Sequence, residues 1–298
     1  MLRWRGVFPA ITTPFKPDLS IDFDLLRRQV AWLIDQGCQG LVPLGSLGEG
    51  ATLSFDEKDA VLAACRQAAA GRVPVVAGVA ALSTAEAVSL ARDAAKLGCE
   101  GLMVLPPYVY AGDPRETAAH FRAVIGATSL PCMLYNNPIA YRTDVSPAAI
   151  ADLCAALPNL EAVKESTGDV RRVTAIRALL GDRIAIFIGV DDLILEGLQA
   201  GAVGWIAGLV DALPAESVRL FELAAAGRLD EARRLYDWFL PLLRLDTVPK
   251  FVQLIKLVQA EVGMGTPTVR PPRLELAGAE LAEALALIRA CLRRRPPI

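Results

Sequence analysis

Eight short, near-continuously apolar runs punctuate the first 210 or so residues: 6–11, 40–44, 73–79, 101–105, 132–136, 160–164, 184–189 and 202–207. A strand with one wet face alternates apolar and polar positions, whereas a strand covered on both faces does not, and unbroken apolar runs are the habit of parallel sheets. Longer amphipathic stretches separate the runs, and several have readable starts. Ser54-Phe55-Asp56-Glu57 and Ser83-Thr84-Ala85-Glu86 are capping-box patterns. Asp113-Pro114 and Ser146-Pro147 place an N-cap residue before a proline at the first helical position. Gln36-Gly37 and Leu97-Gly98 supply glycine stops.

Eight strand–helix units are the number that closes a barrel. The rival, an open doubly wound sheet, calls for a GxGxxG turn after its first strand, and Phe8-Pro9-Ala10-Ile11-Thr12-Thr13-Pro14 has none. Beyond about residue 212 the strand pattern stops, and 214–226, 229–243, 248–262 and 276–292 read as helices. The pattern therefore predicts an α/β chain: a (β/α)8 TIM barrel over 1–212 and a C-terminal helical appendage over 213–298.

Composition narrows the function classes. At 298 residues, 53% hydrophobic and 21% charged, the chain can form a sizeable core. A formal charge of -2 offers no broad electrostatic footprint for nucleic acid. The longest uncharged run, between Arg122 and Arg142, is broken by Pro131, Asn136, Asn137 and Pro138, so no membrane span is expected. The first residues lack the apolar core of a signal peptide. The six cysteines are scattered without a CxxC and are expected to behave as small hydrophobes in a reduced cytoplasm. The one histidine, His120, excludes HExxH and most His-dependent chemistry and is expected to be structural or exposed. No metal or cofactor fingerprint is present. Arg293-Arg294-Arg295 reads as a solvated tail.

In such a barrel the chemistry sits where the strands end. Lysine is scarce in this chain, and Lys164 stands out because it ends an apolar run. A neutral lysine amine can attack a carbonyl and form a Schiff base, which then acts as an electron sink. A structural ion pair to Glu165 or Asp191 accounts for the position equally well. Tyr135 ends the neighbouring run and is either a proton shuttle or an aromatic packed at the rim. Gly45-Ser46-Leu47-Gly48 is a glycine-bracketed turn whose backbone N–H groups and Ser46 hydroxyl suit a carboxylate, although most such turns are only turns. Asp191-Asp192 and Glu49 read as helix N-terminal residues in preference to metal ligands.

Gly45-Ser46-Leu47-Gly48-Glu49, Tyr135-Asn136-Asn137-Pro138 and Val163-Lys164-Glu165-Ser166-Thr167-Gly168, in this order and spacing, resemble the dihydrodipicolinate synthase / N-acetylneuraminate lyase family. The resemblance covers essentially the whole chain. It implies a cofactor-free class I enzyme acting on a 2-oxo acid such as pyruvate, and a homo-oligomer, either a dimer or a tetramer. It makes Lys164 the Schiff-base lysine, Tyr135 the proton-transfer tyrosine and Ser46 the hydroxyl that binds carboxylate and relays the proton. Gly45, Leu47, Gly48, Asn137, Arg142, Gly189, Tyr108 and Tyr110 become candidate substrate-binding residues.

The chain departs from the family's synthases in three places. Leu47 stands where they usually carry a second threonine. Val109, between Tyr108 and Tyr110, falls where they present a relay tyrosine from the neighbouring subunit. Arg142 comes about two residues late after the Tyr-Asn-x-Pro turn. The Tyr-Asn-Asn-Pro-x-x-Tyr pattern over 135–141 is more similar to members that dehydrate, deaminate or cleave hydroxylated 2-oxo acids or cyclic imines, and the resemblance places Arg142, Tyr108, Tyr110 and Tyr141 in the distal pocket where these differ from the synthases. The alternative is the synthase itself, condensing pyruvate with aspartate semialdehyde. A catalytically silent barrel used as a ligand sensor is the reading from another class.

Overall fold

Seven of the eight apolar runs are strands of one parallel sheet in the computed structural model, which describes residues 2–297. They are β1 (Gly6–Pro9), β2 (Val76–Val79), β3 (Gly101–Val104), β4 (Cys132–Asn136), β5 (Leu160–Glu165), β6 (Ala185–Ile188) and β7 (Gly204–Ala207). Their order in the curled sheet is β1-β7-β6-β5-β4-β3-β2. Every pairing is parallel. The segments between strands carry α1 (Phe23–Asp35), α2 (Phe55–Ala69), α3 (Thr84–Lys96), α4 (Pro114–Ile125), α5 (Pro138–Tyr141), α6 (Pro147–Ala156), α7 (Arg171–Leu180) and α8 (Ile194–Gln199). After β7 come α9 (Pro214–Ala225), α10 (Leu229–Leu243), α11 (Phe251–Glu261) and α12 (Gly278–Leu292).

The expected strand over 40–44 is not a regular strand; it forms a single bridge, Leu41 to Val75. Pro43 and Pro74 have no N–H to give a ladder, and Leu44 turns the chain at φ 67. Its backbone nevertheless serves both edges of the sheet. Toward β1, Gln39 N–H donates to Val7 C=O (3.0 Å), Val42 N–H to Pro9 C=O (2.9 Å) and Ile11 N–H to Val42 C=O (3.0 Å). Toward β2, Leu41 N–H donates to Pro74 C=O (3.0 Å), Val76 N–H to Leu41 C=O (2.8 Å) and Gly78 N–H to Pro43 C=O (2.9 Å). Pro74 also explains why β2 starts at Val76 and not at 73.

The strands are buried along nearly their whole length, as unbroken apolar runs require. Below the site, Phe8 and Phe187 meet edge to face with centroids 5.2 Å apart, and Trp4 stacks on Phe8 at 6.5 Å. Glycine is required opposite these rings: a Cβ on Gly40 would lie 2.5 Å from Phe8, and one on Gly204 would overlap Phe187. The helix starts form as read. Ser54/Glu57 and Ser83/Glu86 complete their capping boxes, and Asp113/Glu116 adds a third.

α9 packs against β1 and α8, while α12 lies across α10 and α11. α11 is tied to the segments that follow β1 and β7 by buried polar contacts. Thr12 Oγ1 donates to Gln259 Oε1 (2.9 Å), and Gln259 Nε2 donates to the Asp211 carbonyl (3.2 Å). Two expectations change here. Glu49 makes no cap bond; its buried carboxylate accepts from Lys256 Nζ (2.6 Å) and from the Arg270 N–H (3.0 Å). Arg295 is not a free tail residue, because it pairs with the buried Glu216 of α9. A carboxylate out of water needs a counter-charge, and these basic residues supply it.

His120 is buried and structural. Its Nδ1 is 3.0 Å from Thr84 Oγ1 and its Nε2 3.3 Å from Leu105 C=O, and burial pushes its pKa down. All six cysteines are free and buried. Among the described residues no helix is long and apolar enough to cross a membrane.

Candidate active site

Lys164 and Tyr135 are register partners on the adjacent parallel strands β5 and β4. Parallel neighbours in register project to the same side about 4.8 Å apart, and the Lys164 Nζ lies over the Tyr135 ring, 4.2 Å from its centroid. Both side chains are buried. Glycine at 189 makes room for the lysine, since a methyl there would overlap Lys164 Cε and Ser166 Oγ.

Neither carboxylate that could have neutralised Lys164 as a structural partner is turned to it. Glu165 accepts from the Thr167 N–H (2.8 Å) and from Asn136 Nδ2 (3.2 Å), and lies 3.7 Å from Arg172. Asp191 accepts from the Gly208 (3.3 Å) and Leu209 (2.9 Å) N–H groups. Asp191 thus caps the turn after β7 and not its own helix. Burial raises the Asp191 pKa to about 7 against the opposing pull of those N–H groups and of the Lys164 charge. Asp246, from the turn after α10, is pushed well above the usual carboxylate range by burial and then by Asp191, with Lys164 opposing. It fits against Gly208 where a Cβ would otherwise sit, beside Leu47.

The 45–48 turn follows directly on the segment that bridges β1 and β2. Gly48 is required there, because a Cβ would come within 2.7 Å of the Ile11 carbonyl. Thr13 Oγ1 donates to Gly48 C=O (2.7 Å) and the Glu49 N–H to Ser46 C=O (3.1 Å), so the turn is held by its carbonyls. Its own N–H groups, those of Gly45, Ser46, Leu47 and Gly48, donate to no acceptor among the described residues. A run of free N–H groups in a tight turn is an anion-binding arrangement.

The Ser46 hydroxyl shares a short hydrogen bond with the Tyr141 hydroxyl. Tyr141 ends the one-turn helix α5, which Asn137 caps by accepting from the Ala140 N–H (3.0 Å). Asn137 also donates Nδ2 to the Tyr135 hydroxyl (3.0 Å), which leaves the phenol proton free for another partner. Three tyrosine rings meet here: Tyr141 is edge-on to Tyr135 (5.7 Å) and tilted against Tyr108 (5.4 Å). Burial, then the neighbouring Tyr135 and Tyr108, hold the Tyr141 phenol well above its ordinary pKa. Burial likewise raises the Tyr108 phenol, with the nearby Tyr141 and Ser46 hydroxyls opposing. Behind the cluster Asn136 anchors the returning chain, with Oδ1 accepting from the Val145 N–H (2.9 Å).

The structure therefore brings together Lys164, Tyr135, Ser46, Asn137, Gly189 and Tyr108, with Gly45, Leu47 and Gly48 in the adjoining turn. It leaves two candidates outside. Tyr110 is exposed on its loop and donates to Glu116 (3.1 Å). Arg142 is exposed in the left-handed C-cap position of α5, and its backbone N–H donates to Pro138 C=O (2.9 Å). Tyr141, three residues after Pro138, lies with this group, and Asp246 joins it without having been singled out. A cavity of about 500 Å³ lies elsewhere, between Arg3, Arg5, Gln39, Arg72 and Phe221 where β1 begins, and contains none of these groups.

The family model described as the Dihydrodipicolinate synthetase family matches residues 3–291. The 4-hydroxy-tetrahydrodipicolinate synthase of Pelobacter propionicus is 33% identical over 96% of this chain and 98% of its own length. That of Rhizobium meliloti is 34% identical over 95% and 96%. Among solved structures, dihydrodipicolinate synthase from Aquifex aeolicus superposes with a TM-score of 0.92 at 28% identity, covering 97% of both chains. A putative dihydrodipicolinate synthetase from Pseudomonas aeruginosa gives 0.91 at 34% identity, covering 96% of this chain and 99% of that one.

Proposed function

The chain belongs to the dihydrodipicolinate synthetase family, and from that membership we propose a cofactor-free enzyme in which Lys164 forms a Schiff base with a 2-oxo acid. The amine adds to the C2 carbonyl, water leaves, and the protonated imine draws electrons from the substrate. Loss of a C3 proton to Tyr135 then gives an enamine. The observation that carries this reading is the environment of Lys164: a buried amine facing Tyr135, with the Glu165 and Asp191 carboxylates bonded to backbone N–H groups and not to it. The free N–H groups of 45–48 and the Ser46 hydroxyl suit the substrate carboxylate. We read the scaffold as a (β/α)8 barrel in which residues 39–43 serve as the eighth strand, with a helical region over 213–298.

Two second half-reactions share that first step. In one, the enamine adds to the aldehyde of aspartate semialdehyde; the names of the curated relatives support this synthase reading more than the other. In the other, a hydroxylated 2-oxo acid or cyclic imine is dehydrated, deaminated or cleaved between C3 and C4. The buried apolar Leu47 and the exposed Arg142 favour this second reading.

Borohydride trapping, read by intact mass and peptide mapping, tests the first step. Its panel is pyruvate, a 2-keto-3-deoxy sugar acid, 4-hydroxy-2-oxoglutarate and a hydroxy-pyrroline carboxylate. An adduct on Lys164 is expected. Trapping with pyruvate alone, with condensation of aspartate semialdehyde, selects the synthase; turnover of a hydroxylated acid selects the lyase. No adduct with any of the four sinks the Schiff-base reading and leaves the silent barrel.

A further inference from the structure

We infer that Tyr141 is a positioning residue for proton transfer, holding and supplying the Ser46 hydroxyl from within the same chain. This inference rests on the Schiff-base reading above.

The argument starts from what the Ser46 hydroxyl needs. A serine hydroxyl is one donor and an acceptor on a freely rotating bond. To pass a proton in a defined direction it must be fixed by a second group that itself can donate and accept. Among the described residues, the group hydrogen-bonded to Ser46 Oγ is the Tyr141 hydroxyl. Tyr108 closes the set, with its hydroxyl near both. The three hydroxyls come from the turn after residue 43, the loop after β3 and the end of α5, all in one chain.

The backbone shows how Tyr141 is placed. α5 is a single turn, capped at its start by Asn137 and closed at its end by Arg142 in the left-handed region at φ 59. Thr143 and Val145 are buried just after it, and Asn136 grips the Val145 N–H. The same Asn137 that caps α5 donates to Tyr135. The residue that bonds the proton-transfer tyrosine thus also fixes the helix that presents Tyr141. Burial disfavours the phenolate of Tyr141, so it stays a proton-carrying hydroxyl over the working range of pH. In the step itself, Tyr135 accepts the C3 proton as its own proton moves to Ser46, the Ser46 proton to Tyr141 and the Tyr141 proton on to water, so each hydroxyl ends with one proton. Val109, exposed on its loop, has no hydroxyl to offer a neighbouring site.

The test uses full-length Tyr141→Phe, with Tyr141→Leu as the packing control. The readouts are deuterium exchange at C3 of pyruvate, kcat, KM and borohydride trapping. The phenylalanine variant keeps the ring contacts and loses one oxygen. It is expected to retain the Lys164 adduct and a KM near wild type while exchange and kcat fall by about 10²-fold. Wild-type exchange with the phenylalanine variant, or loss of activity only with leucine, overturns the inference and leaves Tyr141 as packing. Mixing Lys164→Ala with Tyr141→Phe separates cis from trans supply. No recovery of activity is expected, and recovery toward a quarter of wild type overturns supply from the same chain. Failure of wild type to trap any 2-oxo acid is a different result and strikes the Schiff-base reading itself.

Discussion

Two lysines are buried in this molecule, and they live in opposite circumstances. Lys164 is 6% exposed and Lys256 is 1% exposed. Each sits over an aromatic ring, Tyr135 at 4.2 Å and Phe15 at 4.4 Å. Lys256 spends its donors on Glu49 Oε1 (2.6 Å) and the Thr268 carbonyl (2.8 Å), with the Arg270 backbone N–H and the Arg273 guanidinium completing the surroundings of the same carboxylate. Lys164 has no such partners; Glu165 and Asp191 accept from backbone N–H groups, and Asp191 and Asp246 act on the amine only through charge. Burial alone therefore does not mark a reactive amine. An ammonium whose donors are used is a structural tie, whereas an amine with no hydrogen-bonded acid is available to a ligand.

Exchanging the two residues' roles is the sharpest way to break this contrast. Lys164→Ala is expected to lower turnover by at least about 10³-fold and to abolish trapping, with unfolding in urea little changed. Lys256→Met is expected to do the reverse. It strands the buried Glu49 carboxylate, which costs about 3–5 kcal/mol of unfolding free energy, while folded molecules still form the adduct. Lys256→Met paired with Glu49→Leu should recover much of that loss, because removing both buried charges can be nearly neutral. If the two single variants behave alike, the distinction between the lysines fails.

A smaller effect sharpens the space around Lys164. Gly189→Ala places a methyl on Lys164 Cε and Ser166 Oγ, which should cost about 1–3 kcal/mol and shift the amine. Slowed trapping at unchanged Lys164 identity is the outcome to look for, and undisturbed kinetics would show that the lysine does not need that glycine.

The smallest effect is a pH slope. In the unfolded chain the Asp191 carboxyl loses its proton near the ordinary 3.8, and in the fold only near about 7. Between those values the fold holds a proton that the unfolded chain has released, so this group's contribution to stability falls as pH rises through the window. Asp191→Asn carries no such proton. Its unfolding free energy relative to wild type should therefore rise from pH 4 to pH 7 and stay level above. A constant difference across that range would mean that Asp191 is ionised in the fold throughout.

The contrast between the lysines also shows what the sequence made legible. Lys164 ends an apolar run, so its placement follows from local pattern. The strands, the capping boxes at Ser54 and Ser83, and the glycine stops are local in the same way. Run 40–44 departed because Pro43 and Pro74 remove ladder donors, although its remaining groups still reach both sheet edges. Glu49 and Arg295 were misread because their partners lie 207 and 79 residues away along the chain. A carboxylate that looks like a cap and an arginine that looks like a solvated tail acquire their meaning only from tertiary pairing. Tyr110 and Arg142 stayed outside the tyrosine cluster for a backbone reason, since each occupies an exposed position at a turn. Tyr141 reached it because one turn of α5 carries the side chain back over Tyr135.

The partners of Glu49 carry one more consequence. This residue closes the turn that holds Ser46, yet the lysine and the arginine N–H that satisfy it are residues 256 and 270. During synthesis the chain emerges from its N-terminus, so the turn must wait, with an uncompensated acid at its base, until nearly the whole polypeptide has left the ribosome. Lys164 and Tyr135 are made long before that moment. The turn at Ser46 is thus tied down only late in synthesis, and a C-terminally clipped chain would carry the proposed Schiff-base lysine without the contacts that hold the turn proposed to seat its substrate.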